Sequence, residues 1–217
     1  MTRYLNIHAH RKALSPDETV IFNHILTDKT TLNPSPAQEK PFSIGIHPWY
    51  PPTNPEQALH KLKLLANQPA CRAIGEAGID KTAHIPLNTQ AELLIQQARI
   101  AQQLHLPLII HCVKAWTELQ TIRQTFPTLK MIVHGFRGKP ELAQSLLRKG
   151  FFLSFGFRFN PQTLLACPAE RLFLETDEDN RSIKPLYLTA ARLRNCPAEL
   201  LRQQCLRNFE TLFHETP

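Results

Sequence analysis

"TQAELLIQQARIAQQLHLPLIIH", residues 89–111, carries two hydrophobic periods back to back. Up to His105 the apolar positions fall at helical spacing, with Leu94, Ala98 and Ala101 separated by four and three. From Leu106 the pattern contracts to a short apolar run that stops at His111. A helix feeding directly into a buried strand is half of a βαβ unit, so the question is whether the rest of the chain repeats it.

It does. Runs of strand character recur at "RYLNI" (3–7), "VIFNHIL" (20–26), "FSIGI" (42–46), "CRAIG" (71–75), "LPLIIH" (106–111), "KMIVH" (130–134), "GFFLSF" (150–155) and "RLFLET" (171–176). Amphipathic helical stretches separate most of them, at 55–68, 89–105 and 139–149, and two more close the chain at 184–194 and 197–215, the second opening on Pro197. Eight strands alternating with helices predict a TIM-type (β/α)8 barrel, here one domain over residues 1–217. The length is near the lower limit for that fold, so the barrel is expected to be compact and somewhat distorted. The reduced helix belongs between strands two and three, where "TDKTTLNPSPAQEKP" (27–41) holds three prolines and no apolar period.

Composition narrows the setting. No apolar run approaches the roughly 20 residues of a membrane span, and polar residues and histidines stand where a secretory leader has its apolar region. Five cysteines without a CxxC pair read as free thiols, and the protein is expected in the cytoplasm, as a monomer with no membrane partner. A net charge of +7 and a pI near 9.3 favour a polyanionic partner such as nucleic acid.

Barrels of this type do chemistry where the strands end. Strand one ends in His8 and His10, strand three in His47, strand four in Glu76, strand five in His111, strand six in His134 and strand eight in Glu175 and Asp177. Alternation places Asn6, His8 and His10 on one face of the first strand, and Phe173, Glu175 and Asp177 on one face of the last. Four histidines and two carboxylates converging on one mouth are costly to bury unless a cation compensates them. Nitrogen and oxygen donors without thiolate suit Zn, Mn, Mg, Fe or Ni. Six ligands exceed what one tetrahedral ion with an open position can use, so two divalent ions bridged by a carboxylate are expected. Such a pair generates hydroxide at neutral pH and serves hydrolysis, with a phosphoester as the natural substrate.

These residues resemble those of the TatD-type metal-dependent deoxyribonucleases, in order and over nearly the whole chain. "NIHAH" (6–10) is similar to the family's DxHxH, "GIHPW" (45–49) to its GxHP, and "AIGEAGID" (73–80) to its IGExGLD. "LPLIIHCVKA" (106–115), "VHGFRG" (133–138), "RLFLETD" (171–177) and "NFETLF" (208–213) resemble the four later motifs. The resemblance implies one metal on His8, His10, Asp177 and Glu76, and a second on Glu76, His111 and His134. It implies that Asp177 orients or deprotonates the attacking water, that His47 reaches the scissile phosphate, and that Glu175 fixes a ligand's orientation. Glu76, Asp177 and His47 are thus the catalytic candidates. The sequence also departs from the pattern. Asn6 replaces an aspartate, whose restoration is expected to tighten metal binding; "ETDEDN" (175–180) replaces ETDSP, and Lys114 replaces an arginine.

Basic residues just past the strand ends, Lys81, Lys114, Arg137 and Arg158, are placed to meet phosphates, while Trp49 and Phe136 are placed to stack on bases. With His47, Trp49, Lys81, Lys114 and Arg137 as substrate contacts, the expected activity is 3′ to 5′ exonucleolytic hydrolysis of single-stranded DNA. The alternatives are metal-dependent amide or ester hydrolysis, including deacylation of a D-aminoacyl-tRNA, and a binding module without catalysis.

Overall fold

Each apolar run of the sequence forms a strand in the computed structural model, which describes residues 3–31 and 40–213. The strands are β1 (Tyr4–Ala9), β2 (Glu18–Ile25), β3 (Phe42–Gly45), β4 (Cys71–Asp80), β5 (Leu108–Val113), β6 (Met131–Val133), β7 (Phe152–Phe155) and β8 (Leu172–Leu174). They make one sheet in the order β1 to β8, with the pairs β1–β2, β3–β4, β4–β5, β6–β7 and β7–β8 parallel. A bridge between Ala9 and Asp177 brings the first strand beside the end of the last. The fold is a TIM-type (β/α)8 barrel. Near-continuous apolar strands follow from a parallel sheet covered on both faces, as in β8, where Leu172, Phe173 and Leu174 are all inaccessible.

The helices are α1 (Pro55–Ala66), α2 (Leu87–Gln103), α3 (Trp116–Thr125), α4 (Pro140–Arg148), α5 (Pro161–Ala166), α6 (Lys184–Leu193) and α7 (Ala198–Phe213). Four start in the same way, with proline in the first turn, where no amide donor is needed. Asn54 and Asn160 cap α1 and α5 by accepting from backbone N–H groups of the first turn. Two of these helices were not expected. α3 buries only Leu119 and Ile122, and α5 is six residues long, so neither shows an apolar period. β4 runs on to Asp80 through "GEAGID", a stretch whose glycines and alanine have little strand propensity. The expected loss of a helix between β2 and β3 fits the described residues 27–31 and 40–41, which are not helical; 32–39 lie outside the described residues.

The described chain divides into two compact units, one of residues 3–22 with 132–213 and the other of residues 23–131. In the second unit α2 does more than cover the sheet. Its buried stripe includes Gln90 and Gln97, whose amides clamp backbone at the ends of two strands. Gln97 accepts from Ile46 N–H at 2.7 Å and donates to Ile46 C=O at 3.1 Å. Gln90 does the same for Asp80, at 2.7 and 3.1 Å. Among the described residues no helix is long and apolar enough to cross a membrane.

Candidate metal centre

Each unit gathers its own cluster of histidines and carboxylates. In the first, His8, His134 and Asp177 offer ligand atoms within 4.8 Å of one another. The His8 and His134 rings lie 4.4 Å apart between centroids, and Asp177 Oδ1 stands 3.7 Å from His8 Nε2 and 3.6 Å from His10 Nε2. Asp177 is not carried there by strand alternation, since β8 stops at Leu174 and Asp177 adopts φ +55°. Its N–H donates to His8 C=O at 3.0 Å, and its C=O accepts from His10 N–H at 3.1 Å. β1 thus fixes both its own histidines and the carboxylate opposite them.

Glu175, fully buried, is the support of this cluster. Its Oε1 accepts from Gly135 N–H at 2.6 Å and lies 3.2 Å from His134 Nδ1. Burial pushes the Glu175 carboxyl up, but the hydrogen bond and positive field of His134, with His8, outweigh it and keep the group below its ordinary value. An ionised Glu175 only accepts, so His134 meets it with the proton on Nδ1, the tautomer in which Nε2 is the nitrogen that can serve a cation.

Asn6 lies under the same cluster with every polar atom engaged. Its Nδ2 donates to Glu18 Oε1 at 3.1 Å and Thr176 Oγ1 at 2.9 Å, and its Oδ1 accepts from Thr176 N–H at 3.0 Å. Glu18 is buried and is also held by Arg11 at 3.0 Å and by Leu14 N–H. These contacts run against the expectation that aspartate at position 6 would tighten metal binding. A carboxylate there would face the Glu18 carboxylate where an amide now donates.

In the second unit the group is His47, Glu76 and His111. Glu76 is 3% exposed, and its Oε1 lies 2.8 Å from His111 Nδ1 and 3.2 Å from His47 Nε2. Asn23, a single amide inside the apolar run of β2, was not singled out from sequence. It donates to Glu76 Oε2 at 3.4 Å and accepts from Glu76 N–H and Ser43 Oγ–H. His47 Nδ1 accepts from Trp49 N–H at 3.1 Å, so the ring keeps its proton on Nε2 and donates it toward Glu76.

Asp80 was also missed, although it ends a quoted motif; the following "KT" gave the signal, because Asp-x-Thr is a side-chain turn. Its Oδ1 accepts from Thr82 N–H and Oγ1–H at 2.7 and 2.5 Å. Its Oδ2 accepts from Trp49 Nε1–H at 2.7 Å and lies 2.9 Å from His111 Nε2. Burial alone would raise its pKa, yet these donors hold it down to about 2. Asp80 therefore claims the Nε2 proton of His111, leaving the Nδ1 lone pair directed at Glu76 Oε1. Two acceptors 2.8 Å apart require a cation between or beside them, a proton or a metal ion. The donor set of each cluster, imidazole nitrogen and carboxylate oxygen, fits a divalent ion.

The predicted substrate residues fall out differently. Trp49 and the adjacent Tyr50 keep their rings about half exposed, at 52% and 49%. Arg137 and Arg158 line a cavity of about 260 Å3 whose floor includes Glu175 and Asp177. Lys114 is exposed just past β5. Lys81 is paired with Glu118 at 2.7 Å, which offsets much of its charge for a phosphate. Phe136 is buried at 1% exposure, and no base can stack on it.

A family model described as "TatD related DNase" matches residues 30–214. The chain belongs to this family. TatD-family proteins are metal-dependent hydrolases, and so is this one. An uncharacterized metal-dependent hydrolase of Buchnera aphidicola is 29% identical over 79% of this chain and 73% of its own length. The 3′-5′ ssDNA/RNA exonuclease TatD of Cronobacter turicensis is 29% identical, over 73% of this chain and 64% of its own. The chain thus spans somewhat less than two thirds of that exonuclease. Among solved structures, the TatD homolog YjjV of Escherichia coli superposes with a TM-score of 0.81 over 100% of this chain and 99% of the other, at 21% identity, a likeness of fold.

Proposed function

We propose that this TatD-family chain is a nuclease that hydrolyses phosphodiester bonds at the 3′ ends of single-stranded DNA or RNA, using one divalent ion at each cluster. The observation that carries this reading is the repeated couple of buried carboxylate and imidazole, Glu175 with His134 and Asp80 with His111. Each couple favours one ring tautomer, in which the nitrogen away from the carboxylate is the one that would serve a cation. His8, His10, His134 and Asp177 are the donors of the first cluster, Glu76 and His111 those of the second. Zn, Mn, Mg, Fe and Ni all match such donors.

A bound divalent ion would lower the pKa of a water and neutralise charge on the phosphoryl oxygens. Asp177, whose carboxylate stays partly open to solvent, takes the proton of the attacking water. The P–O bond to the leaving nucleotide breaks, and the departing oxygen takes a proton from water or from His47 Nε2. Arg137 and Lys114 meet the backbone phosphates and the exposed face of Trp49 stacks on a base. Five free thiols suit a reducing cytoplasm, and since each cluster is built from one chain, a monomer suffices.

The test is a panel of matched DNA and RNA single strands and a misacylated tRNA, incubated with metal-loaded wild type and Glu76→Ala. Metal-dependent shortening of the strands by wild type alone is expected. Turnover of the acyl substrate with both strands intact would replace this reading with ester hydrolysis.

A further inference from the structure

Trp49 has two chemically separate parts. Its ring is 52% exposed, as a stacking surface must be, while its indole N–H points the other way and ends on a carboxylate that is 1% exposed. That carboxylate, Asp80, receives Trp49 Nε1–H and His111 Nε2–H on the same oxygen, at 2.7 and 2.9 Å. Its other oxygen is filled by the two donors of Thr82, and its backbone is held at both ends by Gln90. Four donors exhaust the acceptor capacity of a carboxylate, so Asp80 has one pose and cannot turn to serve one ring without the other.

We propose that Asp80 is a positioning residue that ties the substrate-stacking indole of Trp49 to the metal-binding nitrogen of His111. The indole N–H is then part of the metal site, although the tryptophan touches no metal. The logic is one of orientation: Asp80 Oδ2 takes the His111 Nε2 proton and aims the Nδ1 lone pair at the position beside Glu76. Trp49 holds Oδ2 in line for that contact. The inference rests on the proposed metal-dependent activity, since it concerns the ion at His111 and Glu76.

Trp49→Phe keeps an aromatic face at the position and deletes the N–H together with the pyrrole half of the indole. Manganese titration by calorimetry, without substrate, should show the ion of the second cluster bound about 10-fold more weakly, the scale on which a ligand's supporting partner acts. Asp80→Asn provides an independent spectroscopic reading. Thr82 claims the carbonyl oxygen, the amide then donates to His111 Nε2, and the ring proton is displaced to Nδ1. Under saturating zinc, the 15N shifts of His111 should report a protonated Nε2 and a metal-bound Nδ1 in wild type, and in Asp80→Asn a protonated Nδ1 that no longer holds the ion. Wild type that binds manganese twice, with both steps unchanged in Trp49→Phe and the His111 tautomer unchanged in Asp80→Asn, would overturn this role while leaving the hydrolase intact. Wild type that binds no metal would instead overturn the proposed function on which it stands.

Discussion

Two residues of opposite reputation, an asparagine where a family has aspartate and an aspartate at the very end of a motif, carry much of the support beneath the ligands. Asn6 sits between Glu18 and Thr176 with its amide spent on both. Asn6→Asp would set two carboxylates 3.1 Å apart in a fully buried place, where both cannot remain charged. The variant should lose about 1–3 kcal/mol of stability at about pH 8, and the deficit should shrink toward about pH 5. The sign follows from the shared proton: a carboxyl whose folded pKa is raised contributes below it and loses that contribution as pH rises. Urea unfolding of the variant and wild type at both values checks this. Equal stability at the two would mean that the pair is relieved by some other group.

The elements that present the ligands are set by glycine as much as by apolar pattern. A Cβ on Gly78 of β4 would come within 1.8 Å of the His111 carbonyl oxygen on β5. One on Gly45 of β3 would come within 2.6 Å of the Glu76 carbonyl oxygen on β4. The three strands are thus in close contact at the backbone of Glu76 and His111. Gly78→Ala should therefore cost about 3 kcal/mol or more and lower the thermal midpoint sharply, with manganese binding at the second cluster lost even where the protein remains folded. A variant with an unchanged midpoint and unchanged metal binding would show that β4 and β5 can separate freely. All eight strands and five of the helices were legible because burial against a parallel sheet imposes long apolar runs. The end of β4 was not, since close packing there favours glycine and alanine over β-branched residues. Helices α3 and α5 escaped because each buries too narrow a face to leave a period. The histidines and carboxylates at the strand ends stood out as charged groups terminating apolar runs. Asn23, Gln90, Gln97 and Asp80 did not, because what distinguishes them is their partner rather than their neighbours in sequence.

At the scale of the whole molecule the chain is a basic protein with a net charge of +7, and its free cations are unevenly available. Lys81 is engaged by Glu118 and Arg181 by Asp179, whereas Lys114 is exposed and Arg137 borders the cavity beside Asp177. Single-strand affinity should fall as salt rises, and Lys114→Ala and Arg137→Ala should each flatten the logarithmic salt dependence by about 0.7, the release expected from one phosphate contact. Lys81→Ala should leave the slope nearly as it is. Anisotropy titrations across a salt series read all three. A slope that drops for Lys81→Ala alone would reassign the phosphate contacts to that side of the molecule.

The central claim, that the two carboxylate-braced clusters are two metal sites, is tested most directly by counting ions. Native mass spectrometry of the zinc-loaded protein, wild type beside His111→Asn, gives the count. Two ions on wild type and one on the variant are predicted. A single ion on both, or none on wild type under saturating zinc, would contradict it.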